Sequence, residues 1–372
     1  MARRGENIYK RRDGRWEARY IRDRDRNGRA IYGYIYRRSY LEAKKAQAEA
    51  RANCGRAKTR PKRPVRPDTL EEYLNLWLQS IRISVKRSSF ANYDGIIRRH
   101  IIPDLGKMPL ERISSTLVQR YIYQKLQNGR LDGKGGLSVK TARDIAGLLK
   151  RSLKPAGIEL KIKLPKYRLP KLRVLTHKEQ TALIAAAGKD GGRWELGVLI
   201  SLFTGIRIGE LCSLKWKDVS LKDGVLKISK TLQRIRNCEP GGKSKTVVII
   251  STPKSESSVR NIPLPHFLLF RLAQLKKNAR DEDYILTGSG RYAEPRRCQY
   301  RFKKMTRKAG IGDINCHALR HTFATRCVEL GVDAKTISEL LGHSNVNITL
   351  NRYVHPTFEH QRECLEKLSA CL

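Results

Sequence analysis

Arg207 in TGIRIGEL, Lys254 in TPKSESSVR, His317 and Arg320 in HALRH, His343 in LGH and Tyr353 in NRYVHP carry side chains that together suit one reaction. Attack on a phosphodiester builds negative charge on the non-bridging oxygens, and a planar guanidinium is the side chain best shaped to hold them. Arg207 and Arg320 fit that role. The phenol of Tyr353 supplies an oxygen nucleophile, which gains reactivity where nearby cations favour its phenolate. Cations gathered round a phosphate, with an oxygen to attack it, are the equipment of DNA strand transfer.

Each fragment is weak alone. Arg207 follows Thr204-Gly205 at an expected helix start, where backbone N–H groups can assist an anion, yet by itself it reads as a surface arginine. His317 and Arg320 lie three apart on an expected helix and so share a face. His321 sits on the adjacent face and is expected to pack or hydrogen-bond near the site. A zinc site built from His317, His321, Cys316 and Cys327 is a rival, but the chain lacks both an HExxH glutamate and a CxxC pair, so neither metal nor cofactor is expected. Lys243 and Lys245 compete with Lys254, and a loop lysine that only touches phosphate is the plain alternative.

The elements that must position these residues can be read from periodicity and caps. From the capping box Thr176-His-Lys-Glu179 onward the pattern is mostly helical. Val225–Ser229, Val247–Ser251 and Val259–Ile262 read as strands, with Pro253 and Lys254 in a turn between the last two. Upstream, Asp68-Thr-Leu-Glu71 opens a helix with Tyr73, Leu74, Trp77, Leu78 and Ile81 on one face, followed by helical stretches at 88–101, 114–128 and 138–155. Ile8–Lys10, Trp16–Arg22 and Ala30–Tyr36 alternate in polarity around Asp13-Gly14 and Asn27-Gly28. They predict a three-stranded antiparallel sheet, and a helix starts at Ser39-Tyr-Leu-Glu42.

The expected fold is multidomain and mainly α. It comprises an N-terminal module of three-stranded sheet plus helix (1–54), a basic linker (55–67), a helical domain (68–160), a second linker (161–174), and a mixed, mainly α domain with a small antiparallel sheet (175–372).

The 77 Lys and Arg against 35 Asp and Glu give a net charge of +42, which calls for a polyanionic partner. Residues 1–67 hold 22 cations against 7 acids, with Trp16, Tyr20, Tyr32, Tyr34 and Tyr36 interleaved, a sheet face suited to a DNA groove. With 40% hydrophobic residues the chain is globular, not disordered. It has no apolar run of membrane-spanning length, no secretory apolar segment at its start, and eight scattered cysteines, which together predict a cytoplasmic protein with reduced thiols and no membrane partner.

FTGIRIGELCSLKWKDV, TPKSESSVRNIPL and HALRHTFATRCVELGVDAKTISELLGHSNVNITLNRYVHP resemble the tyrosine recombinases, also called phage integrases, over about residues 172–360. The helical domain looks like the family's core-binding domain. The N-terminal module is similar, more loosely, to the arm-binding domain of conjugative-transposon and lambda-type integrases. The resemblance implies a site-specific recombinase of a mobile element, bacterial and nucleoid-associated, that forms a 3′-phosphotyrosine through Tyr353. It implies that Arg207, His317, Arg320 and His343 surround the phosphate, that His317 helps take the nucleophile's proton, and that Lys254 protonates the leaving 5′ oxygen. The implied partners are double-stranded DNA at core and arm sites, three further copies in a homotetramer, and an accessory DNA-bending or excision factor. The tail HPTFEHQRECLEKL, with Phe358, Cys364, Leu365 and Leu368 apolar, is expected to form an amphipathic helix that either docks on a neighbouring protomer or packs in cis. Two alternatives remain at this stage: type IB topoisomerase-like relaxation, and a DNA-binding architectural or regulatory protein that never cleaves.

Overall fold

The computed structural model describes residues 6–24, 29–55, 67–167, 172–190, 192–239, 241–242, 244–252, 256–277, 279–353, 362, 365–366 and 369. Most of the basic linker expected at 55–67, Lys243, Lys254, and nearly all of the tail after Tyr353 lie outside them. The chain forms two compact units, Met1–Tyr73 and Leu74–Leu372.

In the first unit β1 (Ile8–Lys10), β2 (Trp16–Arg24) and β3 (Ala30–Arg37) make an antiparallel sheet in that order, and α1 (Tyr40–Gly55) follows. Ile8 pairs with Ala18 and Arg19 with Tyr34, and the register shifts between Ile21 and Asp23. Period-2 alternation sorts the faces. Ile8, Ala18 and Trp16 pack with Ala43 and Tyr40 of α1, while Tyr9, Tyr32, Tyr34 and Tyr36 stay exposed. Ser39 Oγ accepts from the Glu42 N–H at 3.3 Å, as its spacing predicts.

The next helix, α2 (Leu70–Ile81), begins one residue later than its sequence suggests: Thr69 Oγ1, not Asp68, accepts from the backbone, through the Glu72 N–H. Asp68 instead donates its own N–H to Glu72 Oε2. In the second unit α3 (Arg87–Ile96) runs through a π-helical turn, Ile97–Ile101, into the short α4 (Ile102–Leu105), and α5 (Ser115–Asn128) and α6 (Val139–Leu153) complete a helical cluster. Ile97, Ile101, Ile122, Ile145 and Leu149 are fully buried at helical spacing.

The remainder runs α7 (His177–Asp190), α8 (Arg193–Thr204), α9 (Ile208–Ser213), β4 (Val219–Ser220), β5 (Val225–Ile228), β6 (Thr231–Arg236), β7 (Thr246–Ser251), β8 (Arg260–Pro263), α10 (His266–Lys276), α11 (Pro295–Lys308), α12 (His317–Glu329), α13 (Ala334–Leu341) and α14 (Val346–Tyr353). The capping box opening α7 is reciprocal: Thr176 Oγ1 accepts from the Glu179 N–H, and Glu179 Oε2 from the Thr176 N–H. Apolar α8 lies at the centre, where Leu199 and Ile200 join the cluster around Trp216, and Val198 and Leu202 join the one around Phe302 and Leu319.

The strands correct one expectation. β7 and β8 do not pair with each other: β5 pairs with β4 and β8, and β7 pairs with β6, giving a three-stranded and a two-stranded sheet where one was expected. Strand β6 has charged Arg234 and Arg236 in TLQRIR, which hid it from a search for apolar runs. The strands that flank Lys254, β7 and β8, therefore belong to different sheets. Near the β6–β7 connection, Glu239 pairs with Arg82 at 2.6 Å and Arg87 at 3.3 Å, and buried Asp94 of α3 pairs with Arg98 and Arg236.

Candidate active site

Two glycine-terminated helices prepare a seat for a buried cation. Gly205 ends α8 at φ 63° and Gly342 ends α13 at φ 65°, left-handed positions that favour glycine. A Cβ on Gly205 would lie 2.5 Å from Phe323 and 2.7 Å from Leu341, so the close packing excludes a side chain as well. Arg320, on the first turn of α12 and 2% exposed, donates Nη1–H to the Gly205 carbonyl and Nη2–H to the Leu341 carbonyl, both at 2.8 Å. The negative ends of two helices thus stand in for a carboxylate. Two of the five guanidinium donors are engaged there, and the fork has more to offer an anion. Burial, and then Arg207 nearby, pull its pKa down to about 9, which still leaves a cation at neutral pH.

Arg207 is the N-cap of α9. Its Nη2 donates to the Gly342 carbonyl at 3.3 Å, and its Nη1 to Glu210 Oε1 at 2.8 Å. Glu210, 2% exposed, also accepts the Arg207 N–H and pairs with Arg260 Nη2 at 3.0 Å. Burial works to raise the Glu210 pKa, but Arg260 and Arg207 outweigh it and hold the carboxyl below its ordinary value. The N–H expected to help an anion is therefore already committed to a carboxylate. Arg260 in turn donates Nε–H to the Leu340 carbonyl at 2.6 Å.

Sequence reading missed Glu210 and Arg260. The three-residue step from Arg207 to Glu210 was the available signal, whereas Arg260 looked like one cation in a strand.

Tyr353 closes α14 and is 7% exposed. Its ring stacks parallel to that of His343, 3° apart in plane with centroids at 6.4 Å, and its hydroxyl lies 2.8 Å from His321 Nδ1. His343 follows the Gly342 cap, and its Nδ1 meets Thr349 Oγ1 of α14 at 2.8 Å. His317 meets His321 edge to face at 4.5 Å. Burial, reinforced by the arginines for His317 and His343 and by His317 for His321, lowers all three imidazoles to about 4, so each is neutral at physiological pH. The cations were expected to ionise the phenol. Instead burial raises the Tyr353 pKa against the opposing pull of Arg320, Arg352 and Arg207.

The structure thus brings Arg207, His317, Arg320, His343 and Tyr353 into one cluster, although they come from the N-cap of α9, from α12, from the residue after the α13 cap and from the end of α14. Lys254 lies outside the described residues; beyond it, Ser258 Oγ donates to the Gly342 carbonyl at 3.5 Å, so the downstream flank of its segment reaches the site. The described cysteines are free thiols, with Cys212 and Cys298 Sγ atoms 3.3 Å apart in the core. Among the described residues no helix is long and apolar enough to cross a membrane.

A neutral phenol and three neutral imidazoles beside two fixed guanidiniums suit an enzyme that works on a phosphodiester. Comparison with known proteins gives the family. The phage integrase family matches residues 173–360, and its N-terminal SAM-like domain matches 69–127. A tyrosine recombinase XerC-like protein of Caldanaerobacter subterraneus is 28% identical over 375 residues, 93% of each chain. The Tn1549 transposon integrase, solved with transposon right end DNA, is 25% identical over 80% of this chain and 99% of its own, with a TM-score of 0.61. A lambda integrase tetramer bound to a Holliday junction shares the fold over 96% of this chain and 99% of that one, at 20% identity and a TM-score of 0.55.

The chain belongs to the phage integrase family, the tyrosine recombinases. It is a site-specific recombinase that cleaves and rejoins DNA.

Proposed function

We propose that the chain is the integrase of a mobile element and that Tyr353 is its nucleophile. Tyr353 attacks the scissile phosphate and forms a 3′-phosphotyrosine. Arg207 and Arg320 hold the non-bridging oxygens, and His317 and His343 line the phosphate position. Lys254 protonates the departing 5′ oxygen. The covalent bond conserves the energy of the cut until a 5′ hydroxyl from the partner strand reverses the step. The observation that carries this reading is the convergence of Arg207, Arg320, His343 and Tyr353 from four separate elements.

Two duplexes are cut and rejoined, so four protomers act together on DNA, and the tail after Tyr353 is the element we assign to contacts between them. The module 1–54 binds arm sites through its exposed Tyr and Arg face, 68–160 grips core sites, and residues 55–67 and 161–174 join the modules as linkers. An accessory DNA-bending or excision factor sets direction, and the enzyme works in the cytoplasm on the nucleoid.

Incubation with a library of nicked duplexes, followed by SDS and sequencing of the trapped DNA, tests the chemistry. The wild-type chain should give an SDS-resistant adduct at a defined sequence, and Tyr353→Phe should bind the same DNA without one. An adduct that persists in Tyr353→Phe identifies a different nucleophile and overturns the assignment.

A further inference from the structure

The phenol that must attack is buried and protonated, and something has to receive its proton. Of the three imidazoles in the cluster, His317 is the acceptor the family resemblance implies, but the hydrogen bond to Tyr353 Oη is made by His321, at 2.8 Å from Nδ1. The His343 ring is parallel to the phenol ring with centroids 6.4 Å apart, and its Nδ1 is taken up by Thr349. His317 lies against the His321 ring.

We infer that His321 is a further catalytic residue, the base that accepts the Tyr353 proton during cleavage and returns it during rejoining. This rests on the reading of Tyr353 as nucleophile. As Oη bonds to phosphorus and the P–O5′ bond breaks, the phenolic proton passes to His321 Nδ1 and the departing O5′ takes a proton from Lys254. In the reverse step the incoming 5′ hydroxyl gives its proton to Lys254, the P–O bond to Tyr353 breaks, and the imidazolium returns its proton to the phenolate. No outside co-reactant is needed.

Three features suit His321 to this task. The acceptor is Nδ1 of a neutral ring, so the tautomer required carries its proton on Nε2. Both partners are buried, Tyr353 at 7% and His321 at 7% exposure, so bulk water is kept from competing for the proton. The geometry is also set from both sides: α12 fixes His321 one residue after buried Arg320, and Tyr353 is held in a buried cluster with Ala324, Ile337 and Leu341.

The test uses the full-length chain and a nicked duplex recovered by the trapping experiment, with single-turnover formation of the covalent adduct as readout. His321→Ala should slow adduct formation by about 100-fold or more, the usual contribution of a positioned base, with duplex binding changed less than about twofold. Trifluorotyrosine in place of Tyr353 has a more acidic phenol and should restore most of the lost rate in His321→Ala while doing little for the wild-type chain. A residue that only holds the ring in place would give no such rescue.

His321→Gln, which keeps a hydrogen-bonding group without a useful base, should remain as slow as His321→Ala; it also serves if the alanine variant melts early. A wild-type rate in His321→Gln, a slow His321→Ala that the acidic phenol does not rescue, or a faster His321→Ala each overturns the proposal, the last by showing that the bond restrains the nucleophile. If Tyr353→Phe forms the adduct, the underlying assignment of the nucleophile fails instead, so the two failures are distinct.

Discussion

Arg320 gives both ends of its guanidinium to main-chain carbonyls and is 2% exposed, whereas Arg19, on the sheet of the N-terminal unit, lies over the Tyr32 ring at 3.5 Å among tyrosines that are 39% to 52% exposed. Arg11 and Arg15 repeat the second arrangement over Tyr36, at 5.4 and 5.8 Å. The difference fits the roles proposed for the two regions. A cation that stabilises a transition state must already be in place, because reorganisation during the reaction would consume the energy it supplies. On the sheet the cations are oriented by aromatic faces, and Arg11 and Arg15 are also ion-paired, to Glu17 and Asp13 at 2.7 Å each. Net charge alone cannot tell these uses apart.

The largest effect that would sharpen this contrast is expected at Arg320. Arg320→Lys keeps the charge but loses the planar fork that spans the Gly205 and Leu341 carbonyls, so single-turnover cleavage should fall by about 100- to 1,000-fold, as when one transition-state donor is lost. Binding to duplex, measured by titration, should change little. If Arg320→Lys cleaves at the wild-type rate, the fixed geometry of the guanidinium is not what matters.

Acid should separate the two regions next. His317, His321 and His343 fall to about 4 in the folded state from an ordinary value of 6.5, so between those values the unfolded chain binds more protons than the folded one. Stability contributed by the neutral imidazoles is present above about pH 6.5, declines as the pH falls towards 4, and levels off below that. Glu210 adds the acidic limb: its lowered pKa gives stability that is present above the ordinary carboxylate value and is lost as the pH falls through the depressed one. Urea denaturation of the full chain from pH 7.5 to 4 should show a falling midpoint for the catalytic unit, and the triple variant His317→Gln, His321→Gln, His343→Gln should flatten the slope between 6.5 and 4. An equally steep slope in that variant would place the titrating groups elsewhere.

The smallest effect belongs to the sheet. Arg11→Ala with Arg19→Ala in the full chain should leave core-site cleavage unchanged, weaken binding to distant sites on longer DNA by about tenfold, and lower the salt slope of that binding by about 2, one unit for each lost phosphate contact. Unchanged affinity and slope would remove the groove-reading role from this face.

Much of the catalytic unit was legible because local rules govern it. The capping box at Thr176 and the three-residue step from His317 to Arg320 are short-range signals, and the helices they predict are present. The weaker signals failed for identifiable reasons. Asp68 and Thr69 are both good caps, and only the backbone placement makes Thr69 the one that accepts from the Glu72 N–H. Strand β6 was missed because its arginines find partners: Arg234 pairs with Glu294 and Arg236 with Asp94.

The residue types, their order and their spacing along the helices were thus determined by the sequence, because caps, glycine conformation and hydrophobic period act over a few residues. Only the tertiary structure decided that α8 and α13 would end against the same guanidinium, that Glu210 would be shared by Arg207 and Arg260, and that the Tyr353 hydroxyl would meet His321 instead of His317. Those contacts join residues from 21 to 135 positions apart, apart from the local Arg207–Glu210 pair, and depend on how the buried faces of α8, α12, α13 and α14 pack. No local propensity encodes that packing: the direction of a buried side chain is fixed by the shape of its neighbours.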